Sequence, residues 1–302
     1  MNRRTFFKQS LGASFALGAI LHLKSENGYS FPPLTYDLVA VKGGEPDVMF
    51  NKGIDALGGI RMFVKPGQKV VIKPNIGWDV APEMAGNTNP KLVSHIIKQC
   101  LSAGAKEVSV VDHTCDEWKG CYKNSGIEQA VKDAGGKIIP GHSESYYQEV
   151  AVKQGKVLTA AKEHEIILQS DVFINVPVLK HHSGTRVTIA MKNMMGNVWD
   201  RRYWHENDLH QCIADFATYR KPTLNVVDAY AVMKTNGPRG VSQNDLVIMK
   251  ALLISTDIVA VDSAAAKLFG EQPMDVRHIR IASEMKIGRS DLEKLSIKRI
   301  TI

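Results

Sequence analysis

A chain of 302 residues, 44% apolar and 23% charged, can bury a large core and has the composition of an ordinary globular protein. The formal charge of +7 falls to +4 once residues 1–30 are set aside, since Arg3, Arg4, Lys8 and Lys24 there face only Glu26. That modest excess, with no Lys/Arg run interleaved with aromatics, argues against nucleic acid as a partner, and no later stretch approaches the roughly 18 apolar residues of an internal transmembrane span.

The first residues, Met1-Asn2-Arg3-Arg4-Thr5-Phe6-Phe7-Lys8, precede an apolar run of 13 residues, Leu11–Leu23. That run is too short for a membrane helix and suits the core of a signal peptide. The paired arginines resemble the twin-arginine export motif, with Asn2 and Phe7 where that motif prefers Ser and Leu. The expected partner is therefore the twin-arginine translocation machinery and the expected location periplasmic. A general secretory signal or an amphipathic N-terminal helix is the alternative. No clean A-x-A cleavage site follows, which leaves open an uncleaved leader that anchors the chain.

Residues 24–45, with Pro32-Pro33, read as an extended polar lead-in. Beyond them strands and helices alternate. Lys69–Ile72 is a β-branched strand ending at Lys73-Pro74-Asn75. Pro90–Ala103 has a helical apolar period, with Asn89 as cap and Gly104 as stop. Val108–Val111 is the next strand, ending at Asp112-His113. Ile127–Ala134 is a helix and Lys137–Ile139 a strand. Val172–Val178 is a strand, Thr185–Met195 and Leu209–Tyr219 read as helices, and Thr223–Val227 is a strand running into Asp228. Val247–Ile254 is a strand, Val259–Phe269 and Ile279–Met285 are helices, and Leu295–Ile302 is a strand-like tail. This order predicts an α/β fold, a mostly parallel sheet with flanking helices. Two packed halves are expected, about 45–150 and 151–302.

In open α/β sheets ligands bind beyond the carboxyl ends of the strands. The polar residues there are Lys73 and Asn75, Asp112 and His113, Lys180, His181 and His182, and Asp228. The segment Leu179–Val198 packs Lys180, His181, His182, Arg186, Lys192 and Asn193 among apolar residues. A lysine in such a setting is costly to bury and loses its proton readily, which suits nucleophilic or Schiff-base chemistry. Paired imidazoles suit proton transfer or a metal. Thr235–Gly240 is a glycine-containing turn in which Gly237 and Arg239 are ligand-binding candidates. Asp257 reads as a helix cap, and Asp262 sits oddly on an apolar helix face. Four cysteines without C-x-x-C spacing cannot hold a ferredoxin-type iron–sulfur cluster. Cys115 and Cys121 can pair in an oxidising compartment or stand as unrelated thiols.

The stretches VVIKPNIG (70–77), NTNPKLV (87–93), GAKEVSVVD (104–112), INVPVLKHH (174–182), VTIAMKNMMG (187–196), NVVDAYAVM (225–233), NGPRG (236–240) and DIVAVDSAAAKLFG (257–270) resemble the family named domain of unknown function 362. That family has no settled activity. It is in turn distantly similar to the nickel-pincer lactate racemases, which place a histidine after an early strand and, later, a histidine ten residues before the lysine that holds the cofactor. His113, and His182 ten residues before Lys192, match that pattern. The resemblance implies that Lys192 tethers or contacts a metal cofactor, and that His113 and His182 ligate metal or shuttle protons; a Gly-rich stretch before the racemase lysine is replaced here by Val187–Met191.

These readings converge on an exported enzyme carrying out proton or hydride transfer on a small anionic metabolite. Lys192, His182, His113 and Lys180 are its catalytic candidates; Lys73, Asn75, Asn193, Asp228, Gly237 and Arg239 are its ligand-binding candidates. A periplasmic binding protein that uses the same cationic cleft without turnover is the alternative.

Overall fold

β-Branched runs and periodic apolar helices alternate along the chain, and this order produces one large sheet with helices against it. The computed structural model describes residues 33–302; the leader lies outside the described residues. The strands in chain order are β1 (Leu38–Lys42), β2 (Lys69–Pro74), β3 (Glu107–Val110), β4 (Lys137–Ile138), β5 (Tyr147–Ala151), β6 (Ala160–His164), β7 (Val172–Val176), β8 (Val178–His182), β9 (Arg186–Thr188), β10 (Leu224–Met233), β11 (Leu246–Ser255) and β12 (Ile297–Thr301). The helices are α1 (Pro46–Ala56), α2 (Pro90–Ser102), α3 (Trp118–Asn124), α4 (Ile127–Asp133), α5 (Glu165–Leu168), α6 (Ala190–Asn193), α7 (Arg201–Glu206), α8 (Leu209–Tyr219), α9 (Ile258–Phe269) and α10 (Arg277–Glu284).

The main sheet runs β12-β1-β11-β10-β7-β2-β3-β4. Its pairs are parallel except where β11 lies antiparallel to β1 and β10, and where β9 folds back on β8. β5 and β6 form a separate antiparallel hairpin. The mostly parallel α/β reading is correct. Between β2 and β7 the order reverses, with β3 and β4 on one side and β10 on the other. Such a switch point opens a crevice beyond the strand ends.

Packing explains the local choices. α2 buries Leu92, Val93, Ile96, Ile97 and Cys100, spaced one helical turn apart. Each aliphatic side chain so buried is worth roughly 1.5–3 kcal/mol, more than any single propensity effect in the helix. Asn89 caps it by accepting from Lys91 N at 2.9 Å. Asp257 caps α9 by accepting from Val259 N and Ala260 N, as expected.

The structure corrects three local expectations. The lead-in over residues 24–45 contains a core strand: β1 pairs with β11 and β12, burying Leu38, Val39 and Val41. The strand expected over 172–178 is broken at Pro177, which has no N–H to donate: β7 lies between β2 and β10, whereas β8 leaves β2, keeps to β10 and takes β9 as its other partner. The expected helix Thr185–Met195 is β9, the single-turn α6 and a 3-10 turn at Met194–Asn197. Its β-branched start (Val187, Thr188) pairs with β8, and the apolar residues that mimicked a helical period are simply buried on all sides.

Candidate active site

The ends of β2, β3 and β8 and the α6 turn enclose a cavity of about 730 Å³ at the switch point. Lys73 is the last charged residue of β2 and is 1% exposed. Its Nζ pairs with Asp112 Oδ1 at 2.9 Å and donates to Asn193 O at 2.5 Å and to Asn193 Oδ1 at 2.9 Å. Burial lowers the lysine's hold on its proton, while the Asp112 carboxylate opposes that loss. Asp112 Oδ2 accepts from Ile76 N at 2.7 Å, so the end of β3 is tied to the segment after β2. Gly196 makes the pair possible: a Cβ there would run into Asp112 Oδ1 and lie 2.6 Å from Lys73 Nζ.

Asn193 connects the α6 turn to β2 and β7. Its amide donates to Asn175 Oδ1 at 2.8 Å, and Asn75 Nδ2 donates to Asn193 Oδ1 at 3.0 Å. Asn75 Oδ1 accepts from Lys180 Nζ at 3.1 Å; Lys180 also donates to Gly86 O at 2.5 Å and stands 5.9 Å from the Trp78 ring. Burial pushes the Lys180 amine down to about 7.

Lys192 differs from the other two. It is 8% exposed, and its Nζ contacts Met195 Sδ at 3.5 Å, a weak acceptor that does little to hold an ammonium proton. Burial first, and then the Arg201 and Lys73 charges, lower it to about 8. The turn that carries Lys192 is anchored from behind. Asp262, fully buried on α9, accepts from Ala190 N at 2.7 Å and Met191 N at 3.0 Å, which accounts for a carboxylate on an apolar helix face.

Two imidazoles complete the wall. His113 Nδ1 donates to Val198 O at 2.8 Å, and its ring stacks on Trp199 at 4.9 Å. Burial, then Arg201, holds it down to about 4. His182 Nδ1 accepts from Gly184 N at 3.0 Å, and burial, then the Lys192 and Lys180 charges, holds it down to about 2. Both are neutral bases at neutral pH. Arg201 is fixed by donating to His113 O at 2.7 Å and Thr114 O at 2.6 Å.

The structure therefore brings Lys73, Asn75, His113, Lys180, His182, Lys192 and Asn193 to one cavity. Three candidates stay off its wall. Asp228 is buried as a backbone acceptor for Asn89 N at 2.8 Å and Tyr230 N at 3.0 Å. Gly237 donates its N–H to His181 Nδ1 at 3.1 Å, and its neighbour Pro238 lines the cavity instead. Arg239 turns outward to Asp116 at 3.4 Å.

The lining also includes Trp78, Cys115, Trp199, Arg201, Arg202 and His205, which sequence reasoning passed over. Trp199-Asp200-Arg201-Arg202 directly follows the basic segment, and that adjacency was the available signal. Cys115 and Cys121 are both free thiols. Among the described residues no group of three or more His, Cys, Asp and Glu side chains is placed to hold a metal ion. His113 and His182 each have one ring nitrogen engaged, with lysines and arginines around them. This donor set does not fit a metal centre built from protein ligands alone. No helix among the described residues is long and apolar enough to cross a membrane.

Comparison with known proteins places this cavity in context. A thylakoid-associated protein of Synechocystis sp. is 24% identical over 243 residues, covering 78% of this chain and 73% of that protein. Among solved structures, the lactate racemase apoprotein from Thermoanaerobacterium thermosaccharolyticum is a distant likeness, with a TM-score of 0.45 and 10% identity, covering 74% of this chain and 55% of that one. The family described as Domain of unknown function (DUF362) matches residues 70–267, a span that includes every cavity-lining candidate above, and the chain belongs to that family.

Proposed function

We propose that the cavity is the active site of an enzyme that transfers a proton to or from a small anionic metabolite. One observation carries this reading. Lys73, Lys180, Lys192 and Arg201 line a single cavity in which Asp112 and Asp200 are the carboxylates; Asp112 is already committed to Lys73, and Arg202 at the rim pairs with Glu206 at 2.6 Å. Uncompensated positive charge in a partly enclosed, low-dielectric space favours an anion. Beside it stands Lys192, whose proton affinity, lowered to about 8, lets it accept and return a proton near neutral pH, and His182, a neutral imidazole that can hydrogen-bond the bound acid. Proton transfer is the chemistry these side chains supply by themselves.

The test is deuterium wash-in. Small carboxylates incubated with the protein in heavy water should gain deuterium at the carbon next to the carboxylate, and Lys192→Gln should abolish the exchange. Saturable binding with no exchange in any candidate acid would instead favour a binding protein without turnover.

The location belongs to the same proposal. The Arg3-Arg4 leader supports export by the twin-arginine route, and a relative named for association with thylakoids is compatible with it. Replacing Arg3 and Arg4 together with lysine should leave the protein in the cytoplasmic fraction. Continued export of that variant would exclude the route.

A further inference from the structure

The three lysines of the cavity are not equivalent, and the difference points to covalent chemistry. Lys73 is held by a carboxylate and two oxygens of Asn193. Lys180 is held by Gly86 O and Asn75 Oδ1. Each has oxygen acceptors that take up its N–H groups and fix the nitrogen in the wall. Lys192 has a thioether instead. It is also the lysine with a braced backbone, because Asp262 accepts from the two amides that precede it. A fixed amine without an oxygen partner, on the wall of a cationic cavity, has the surroundings of a lysine nucleophile.

We infer that Lys192 condenses with the carbonyl group of a small 2-oxo acid, whose carboxylate is drawn to the neighbouring cations. Lys192 Nζ adds to the carbonyl carbon. Its two protons leave with the carbonyl oxygen as water, and a carbon–nitrogen double bond replaces the carbon–oxygen one. Once protonated, that imine withdraws electrons from the adjacent carbon and loosens its C–H bonds. Arg201 is near enough to reduce the basicity of Lys192, so a carboxylate beside the reacting carbonyl would meet that guanidinium. The lowered proton affinity of Lys192 leaves a usable share of free amine near neutral pH.

This inference rests on the proposed anion-binding role, and one experiment separates the two. The protein is mixed with pyruvate, oxaloacetate or 2-oxoglutarate, treated with borohydride and mapped by peptide mass spectrometry; binding of the same acids, and of lactate and phosphate, is followed by tryptophan fluorescence. The expected result is a mass gain equal to the oxo acid less one oxygen atom, on the peptide containing Lys192 of the unaltered protein. Lys192→Arg should abolish it, and Lys132→Arg, at an exposed lysine outside the cavity, should retain it. If the oxo acids bind but no adduct forms, or the label falls on other lysines, the imine is excluded and the anion site stands. The imine is equally excluded if lactate or phosphate binds and no oxo acid does. If none of these anions binds, both readings fall.

Discussion

Lys73 Nζ lies 2.9 Å from Asp112 Oδ1, with only 1% and 2% of the two side chains exposed. The pair ties the end of β2 to the end of β3 at the floor of the cavity. Removing one partner leaves an uncompensated buried charge, which costs roughly 3–5 kcal/mol. Asp112→Asn and Lys73→Met should each lose stability on that scale in urea denaturation. The double variant, which leaves neither charge and keeps an acceptor for Ile76 N, should lose much less than the sum of the two. Additive losses would show that the pair is not coupled.

Gly196→Ala tests the same junction from the other side. The added methyl meets Asp112 Oδ1 and Lys73 Nζ, and neither group can withdraw without breaking the pair. Overpacking of this kind costs roughly 1–3 kcal/mol. The α6 turn should also shift, so anion binding should weaken together with thermal stability. An unchanged melting temperature would show that the junction is looser than its geometry.

Lys180 and Lys192, which have no carboxylate partner among the described residues, should titrate apart from surface lysines. After reductive methylation with carbon-13 formaldehyde, NMR should find one methylated amine near 7 and one near 8, assigned by Lys180→Arg and Lys192→Arg. Surface lysines titrate near 10.4. Normal values for both would remove the electrostatic basis of the site.

Asp262 and His278 pull the pH dependence of stability in opposite directions. Burial raises Asp262 to about 7 from an ordinary 3.8. Between those values the native chain keeps a proton that the unfolded chain has lost, so stability falls as pH rises from about 4 to 7. Burial lowers His278 to about 3 from 6.5. The unfolded imidazole then gains a proton that the native one refuses, so stability falls as pH drops from about 6.5 to 3. Asp262→Asn removes only the first effect. Its stability relative to the unaltered protein should rise between pH 4 and 7 in urea denaturation; an equal difference at both ends would contradict the raised pKa.

Local patterns made much of this architecture legible. The runs expected at 69–72, 108–111 and 172–178 fall on the strands 69–74, 107–110 and 172–176, and the periodic stretches on the helices 90–102, 209–219 and 258–269, because burial on one side leaves a period in the sequence. β1 escaped notice because its partners, β11 and β12, lie more than 200 residues away, and a five-residue strand with proline before it carries little local signal. Positions 187–195 misled for a different reason: in a segment buried on every side, the spacing of Val187, Met191, Met194 and Met195 imitates a helical period without marking one buried face, so a β-strand and a single helical turn read as one helix. At the site, residues that follow strands were found because the topology gathers strand ends. Trp78 and Cys115 reach the cavity from loops, and Arg201 from the start of the short helix α7, whose path nothing in the spacing reveals. Asp228 misled because the strand expected to end at Val227 runs on to Met233, so the carboxylate sits within β10 and serves as a backbone acceptor for Asn89 and Tyr230.

The direct test of the cationic cavity is the affinity of small carboxylates as a function of pH, followed by quenching of tryptophan fluorescence, since Trp78 and Trp199 both line it. The structure predicts saturable binding near pH 6, weakening as Lys180 and Lys192 lose their protons between pH 6 and 9, and a loss of at least roughly tenfold, about 1.4 kcal/mol, in Lys180→Gln. Affinity that is indifferent to pH and unchanged in Lys180→Gln and Lys192→Gln would contradict it.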